Sequence, residues 1–241
     1  MTEIGAVRNV NIKDVLAKKY NLYMGISLGN KWFTKEHMRD YIKWGLQYTK
    51  ERFAIQIAET LNAINYEIQS SYTKSRALKK AISEGDKVKA IIDSLLKELP
   101  QEQKDKIAIV RWEDVKNDLY YKVNYEVFQR EFELNFEFRD TIKEIVREVI
   151  AKAGKKYLDE KITKLSSYVL DEFPELINGF SYNGILYNCW FYPQDGPLSQ
   201  LVEDIQKKRK FSNIFGQLQL IGKGNGFIEL KVPEQKPLYH P

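Results

Sequence analysis

Ser27 stands in the run Gly25-Ile26-Ser27-Leu28-Gly29, a GxSxG pattern. In its best-known use this pattern is a tight strand-to-helix turn that lifts a serine hydroxyl above a sheet, ready to attack an acyl carbon. That chemistry requires an acid and then a histidine later in the chain. Only His37 and His240 exist, one ten residues beyond Ser27 and the other in a proline-flanked tail. A Ser-His-Asp hydrolase, which would have to depend on His240, is therefore disfavoured. The same run also suits a plain turn in which the glycines make the bend and Ser27 caps a backbone amide. Serine without histidine still reacts when its electrophile arrives activated. The aminoacyl ester of tRNA qualifies, because its ribose oxygen is a fair leaving group.

Three further features could act with such a serine. The segment KSRALKKAISEGDKVK places Lys74, Arg76, Lys79, Lys80, Lys87 and Lys89 within about four helical turns, with two acidic residues among them. Cations so spaced neutralise phosphates and release counterions, which suits a tRNA backbone; a solvated helix face has the same composition. Tyr168 and Glu172 lie four residues apart, hence on one helix face, shortly before Pro174. Twenty residues beyond Glu172 comes Tyr192, closing the apolar run GILYNCWFY. Ligands of open α/β sheets bind at the carboxyl ends of strands, where both Ser27 and Tyr192 would sit.

The elements that must position these residues follow from periodicity. YNLYMGIS (20–27) reads as a first strand, a helix capped by Thr34 carries Met38, Tyr41, Ile42 and Leu46 on one face, and FAIQIA (53–58) is a second strand. A β-α-β opening favours a parallel sheet. A charged helical pattern over 65–99 precedes a third strand, IAIVRW (107–112). Two long helices are expected at 124–153, with the aromatic face Val127, Phe128, Phe132 and Phe136, and at 157–172, where Pro174 should end the second. GILYNCWFY (184–192) reads as one buried strand closed by Pro193. A short helix at 198–208, the patch KKRK at 207–210 and a terminal hairpin turning at GKGNG complete the chain. GKGNG lacks the Gly-Lys-Ser/Thr ending and the following helix of a phosphate loop.

The composition sets limits. At 241 residues, one domain spanning 1–241 is the default. The lone cysteine, Cys189, allows no internal disulfide, and without Cys/His clusters no structural zinc or other metal is expected. No apolar stretch approaches a membrane span and the first residues lack a signal-peptide core, so a cytoplasmic protein is expected. A net charge of +5 allows a polyanionic partner without demanding one.

Taken jointly, Met24-Gly25-x-Ser27-x-x-Asn30, Tyr168-x-x-x-Glu172-x-Pro174 and Tyr192, with a basic helix between them, resemble the tRNA-dependent cyclodipeptide synthases over nearly the whole chain. The resemblance implies a Rossmann-like parallel sheet flanked by helices, similar to the catalytic domain of class I tyrosyl- and tryptophanyl-tRNA synthetases. It implies a monomer that needs no ATP or other cofactor and takes two aminoacyl-tRNAs to a cyclic dipeptide. Ser27 would carry the acyl group, Tyr168 and Glu172 would hold the amino group with Glu172 as base, and Tyr192 would relay a proton in cyclisation. The first aminoacyl pocket would involve Tyr23, Gly25, Asn30, Ile55, Leu176 and Trp190, and the bulk of Tyr23 and Trp190 points to a small or flat side chain. In the family an Asn at position 30 accompanies Gln after the Tyr192 position, whereas this chain has Pro193, so the subfamily is ambiguous. A non-catalytic RNA-binding module with a structural Ser27 is the rival reading.

Overall fold

The computed structural model describes residues 2–232; His240 lies outside them. The chain runs β1 (Glu3–Arg8), α1 (Ile12–Leu16), β2 (Leu22–Ile26), α2 (Lys35–Tyr48), β3 (Phe53–Ile57), α3 (Ala63–Ser70), α4 (Lys74–Lys97), α5 (Gln101–Lys104) and β4 (Ile107–Arg111). It continues through α6 (Trp112–Lys116), α7 (Leu119–Leu134), α8 (Phe136–Lys152), α9 (Asp159–Asn178), β5 (Phe180–Tyr182), β6 (Ile185–Tyr187), β7 (Cys189–Tyr192), α10 (Pro197–Gln206), α11 (Ser212–Phe215) and β8 (Gly226–Lys231). Six strands pair in the order β1-β8-β7-β2-β3-β4. Only β1 is antiparallel to its neighbour, so the sheet is the Rossmann-like one expected.

Strand alternation divides the core into two faces. Leu22, Met24 and Ile26 of β2 and Phe53, Ile55 and Ile57 of β3 pack with Met38, Tyr41 and Ile42 of α2 and Ile92 and Leu95 of α4. On the other face Tyr23, Ala54, Ala108 and Val110 meet Trp112, Tyr121, Phe180 and Tyr187. Beyond that face α7 to α10 form a helical layer around Phe128, Phe138, Phe173 and Ile205.

Several elements differ from the sequence-based expectation. The helix at 65–99 is two: α3 ends on Ser71 in the left-handed region, φ 53°, and α4 restarts where the Thr73 side chain accepts from the Arg76 N–H. The helix at 124–153 begins earlier, capped by Asp118, and breaks at Asn135, which ends α7 and caps α8. GILYNCWFY is not one strand. Asn183 and Gly184, at φ 51° and 76°, turn Ile185–Tyr187 back onto Phe180–Tyr182, and only Cys189–Tyr192 enters the main sheet. No terminal hairpin forms at GKGNG; that turn leads into β8, which lies between β7 and the unexpected β1. The pairing of Glu3 with Lys231 joins the two ends of the described chain and leaves no local sequence signal.

Pro174 does not end α9, which runs on to Asn178. Proline removes one N–H and crowds the carbonyl four residues back, but Phe173, Leu176 and Ile177 are buried and hold the last turn in place. Beside it, the Tyr121 hydroxyl bonds the neighbouring Asp171 carbonyl at 3.0 Å. α9 stops at Gly179, whose φ of 73° and close approach to the Tyr187 carbonyl exclude any side chain.

Buried Glu59, at the end of β3, pairs with Arg111 of β4 at 2.5 Å, and Arg111 reaches Asp86 of α4 at 3.0 Å. This network ties the basic helix to the sheet. Arg111→Leu, which leaves the Glu59 carboxylate buried and alone, should lower stability by about 3–5 kcal/mol in denaturant unfolding. Adding Glu59→Leu should recover much of that loss.

Candidate active site

The chain leaves β2 for β3 and β4 on one side and later returns to β7 and β8 on the other, so the strand order reverses between β2 and β7. The crevice at such a switch point, outside the carboxyl ends of the strands, is where α/β sheets bind ligands. Ser27 follows the last residue of β2 and Tyr192 ends β7, with Tyr23 opposite Trp190 in the parallel ladder between them. The Tyr192 hydroxyl donates to Ser27 Oγ at 3.1 Å.

The turn after Ser27 completes this contact. Gly29 takes φ 75°, the Asn30 N–H bonds the Ser27 carbonyl at 3.3 Å, and Asn30 is thereby folded back over the crevice. Its Nδ2 donates to the Tyr192 hydroxyl at 2.7 Å while its Oδ1 accepts from the Trp32 N–H at 3.0 Å. Asn30 thus pairs with Tyr192 although Pro193, not Gln, follows. Among the described residues Ser27 Oγ meets no histidine; His37 Nδ1 lies 3.2 Å from the Trp32 carbonyl instead.

From the facing helix α9, Tyr168 and Glu172 turn toward Ser27, the Tyr168 phenol facing both the serine and the carboxylate. Burial raises the Tyr168 phenol well above its ordinary range, and the nearby Glu172 carboxylate raises it further. Burial, then the proximity of Glu175, pushes the Glu172 carboxyl up to about 8. Glu175 itself is lifted by burial to about 7, with Tyr23 and Gln56 facing it and holding it down in part. Tyr192 is raised by burial and lowered by its bond to Ser27.

The expected pocket residues divide. Gly25 and Tyr23 lie on the Ser27 face of β2, and the Trp190 ring lies 5.9 Å from that of Tyr192. Leu176 sits one turn beyond Glu172 in the helical cluster against which Trp190 packs. Ile55 is not in the site. It points to the opposite face of the sheet, among Met24, Phe53 and Ile57, because side chains alternate along a strand. Its neighbour Gln56, opposite Gly25, occupies the site face instead. Gln56, Glu175 and Asn225 were not foreseen. A signal for Glu175 existed, since Tyr168, Glu172 and Glu175 are spaced i, i+4, i+7, but it required a helix continuing through Pro174.

The six basic residues do not act as one patch. Arg76, Lys79, Lys80 and Lys87 fall within about 100° around α4, opposite its buried Ala77, Ala81 and Gly85. Lys80 and Lys87 share Glu84, Arg76 lies over the Tyr72 ring at 4.1 Å, and Lys89 turns away to Asp93. Lys74 lines an open groove of about 670 Å³ with Lys116, Lys164, Trp112, Tyr125 and Tyr168, so the groove reaches the site at Tyr168.

The cyclodipeptide synthase family model matches residues 9–213. The chain belongs to the cyclodipeptide synthase family. A search of curated proteins finds no match. Among solved structures, a cyclodipeptide synthase from Staphylococcus haemolyticus is 18% identical with a TM-score of 0.75, covering 96% of this chain and 100% of that one. A Mycobacterium tuberculosis protein, whose structure demonstrates that cyclodipeptide synthetases are related to type I tRNA synthetases, is 16% identical with a TM-score of 0.73 over 95% and 92%. A synthase from Candidatus Glomeribacter gigasporarum bound to Phe-tRNAPhe is 15% identical with a TM-score of 0.60 over 90% and 89%. No helix among the described residues is long and apolar enough to cross a membrane.

Glu175 binds a proton more tightly in the folded chain than in the unfolded one, so it adds stability below its unfolded pKa and loses it as pH rises through about 7. Glu175→Gln should therefore leave the unfolding midpoint nearly unchanged at about pH 4 and raise stability by roughly 3 kcal/mol at pH 8.5. Urea titrations of both proteins at the two pH values check this.

Proposed function

We propose that the chain joins two aminoacyl groups from aminoacyl-tRNAs into a cyclic dipeptide through acyl-Ser27 intermediates, as a monomeric, cytoplasmic, single-domain enzyme that uses no ATP or metal. The observation that carries this reading is the hydrogen-bonded set Asn30–Tyr192–Ser27 at the switch point, facing Tyr168 and the half-buried Glu172. The serine has a buried phenol rather than a histidine at its Oγ, which suits an ester that is already activated. The relative bound to Phe-tRNAPhe supports aminoacyl-tRNA as the substrate.

Ser27 Oγ attacks the first ester carbon, the bond between that carbon and the ribose oxygen breaks, and the serine proton passes to the departing ribose oxygen. The amino group of the bound residue lies against Glu172 and Tyr168, with the carboxylate pairing with the ammonium and the phenol fixing direction. Glu172 removes the proton from this amine, which attacks the second aminoacyl ester and releases the second tRNA. The new terminal amine then attacks the Ser27 ester, the C–Oγ bond breaks, and Tyr192, held by Asn30, returns a proton to Oγ. The stripe Arg76, Lys79, Lys80 and Lys87, with Lys74 at the groove, would hold the tRNA backbone.

Bacteria expressing the chain should release a diketopiperazine, read by mass spectrometry of the medium, and Ser27→Ala should release none. If soluble, folded wild-type protein binds tRNA but yields no product, the chain is an RNA-binding module instead. With purified protein, peptide formation should rise with pH through about 8 as the Glu172 carboxyl loses its proton. Glu172→Gln should remove that limb and slow the reaction by about 10² or more.

A further inference from the structure

The chemistry above leaves Glu175 without a task. It lies one turn beyond Glu172 on α9 and is 4% exposed, and among the described residues no lysine, arginine or histidine pairs with it. Tyr23 and Gln56 face it, yet a buried carboxylate without a cation remains costly.

Its surroundings are also incompletely paired. Asn225 Nδ2 donates to the Tyr23 hydroxyl at 2.6 Å and to the Glu175 carbonyl at 3.2 Å, yet Asn225 Oδ1 accepts from no group. Gln56 Nε2 faces Glu175 without closing a hydrogen bond of normal geometry, and Gln56 and Asn225 are each only 2% exposed. Unpaired buried polar atoms are rare enough that two beside one buried carboxylate point to a missing ligand.

Between Ser27 and this cluster β2 carries no side chain on the site face. Gly25 lies two residues back from Ser27 on the same face of β2, opposite Gln56 in the ladder. A Cβ at Gly25 would meet only Gln56 Oε1, at 3.2 Å. The strand is therefore bare between the nucleophile above and Tyr23, Gln56 and Glu175 below.

We propose that this polar chamber receives the side chain of the first amino acid, and that Glu175 selects a basic one: lysine, arginine or histidine. The inference rests on the reading of Ser27 as the acyl acceptor. Glu172 and Glu175 are three residues apart on one helix, so their side chains start about 5–6 Å from each other. A basic aminoacyl group carries two cationic or strong donor groups, the α-ammonium and the side-chain nitrogen, a few ångströms apart. The first meets Glu172; the second meets Glu175, with Asn225 Oδ1 as a further acceptor. An apolar side chain would leave Glu175 with only Tyr23 and Gln56 and no cation, and an acidic one would add a third carboxylate.

The test gives purified protein one defined aminoacyl-tRNA at a time and reads intact protein mass, for acyl-Ser27, together with any cyclic product. Wild type should take lysyl, arginyl or histidyl groups in preference to leucyl, phenylalanyl or glutamyl ones. Glu175→Gln, checked for folding by thermal melting, should lower that use of basic groups at least about tenfold, the loss of one charge-assisted hydrogen bond. Glu175→Leu should shift use toward apolar groups. Ser27→Ala should take none. Wild type that uses neutral groups and ignores Glu175→Gln overturns the proposal and leaves the synthase reading standing. Folded wild type that takes no aminoacyl group at all overturns the reading of Ser27, and the proposal falls with it.

Discussion

The parallel pairing of β2 with β7 is the constraint on which the rest depends. Ser27 and Tyr192 are separated by 165 positions in the chain, and only the ladder that sets Tyr23 against Trp190 brings their side chains to 3.1 Å. The chain reaches that ladder after a long excursion through α7, α8 and α9, so the helix that carries Tyr168 and Glu172 is the cover over the same crevice. Strand order, helix cover and nucleophile are thus one arrangement.

Within it, α9 concentrates the cost. Two carboxyl groups three residues apart are enclosed and both are pushed up by burial, which weakens the fold as pH rises. A helix through Pro174 has given up a hydrogen bond as well, offset by packed Phe173, Leu176 and Ile177. Groups of this kind collect where chemistry or recognition needs them. The ionised network Glu59–Arg111–Asp86 lies outside the crevice and serves a different end, holding α4 and its basic stripe against β3 and β4.

Much of the architecture was legible because periodicity and capping are local. The apolar strands at 20–27, 53–58 and 107–112, the Thr34 cap and the β-α-β opening follow from neighbours in sequence, and the structure has them within a few residues. The errors have local causes too. Each of two helical stretches reads as continuous although Ser71 or Asn135 interrupts it, and the run 184–192 reads as one strand because its apolarity hides the break at Asn188.

The sequence by itself determined the chemical types and their order: a glycine-flanked serine, a tyrosine four residues before a glutamate, a late tyrosine and too few histidines for a hydrolase. Helical spacing alone put Tyr168 and Glu172 on one face. Only the tertiary structure decided that Ile55 faces away from Ser27 and Gln56 toward it, that β8 lies beside β7 with β1 at its edge, and that α9 passes through Pro174 to bring Glu175 under the nucleophile. The physical reason is the same in each case. Which strand lies beside which, and whether packing outweighs one missing hydrogen bond, are settled by contacts between residues far apart in the chain, and no local pattern encodes them.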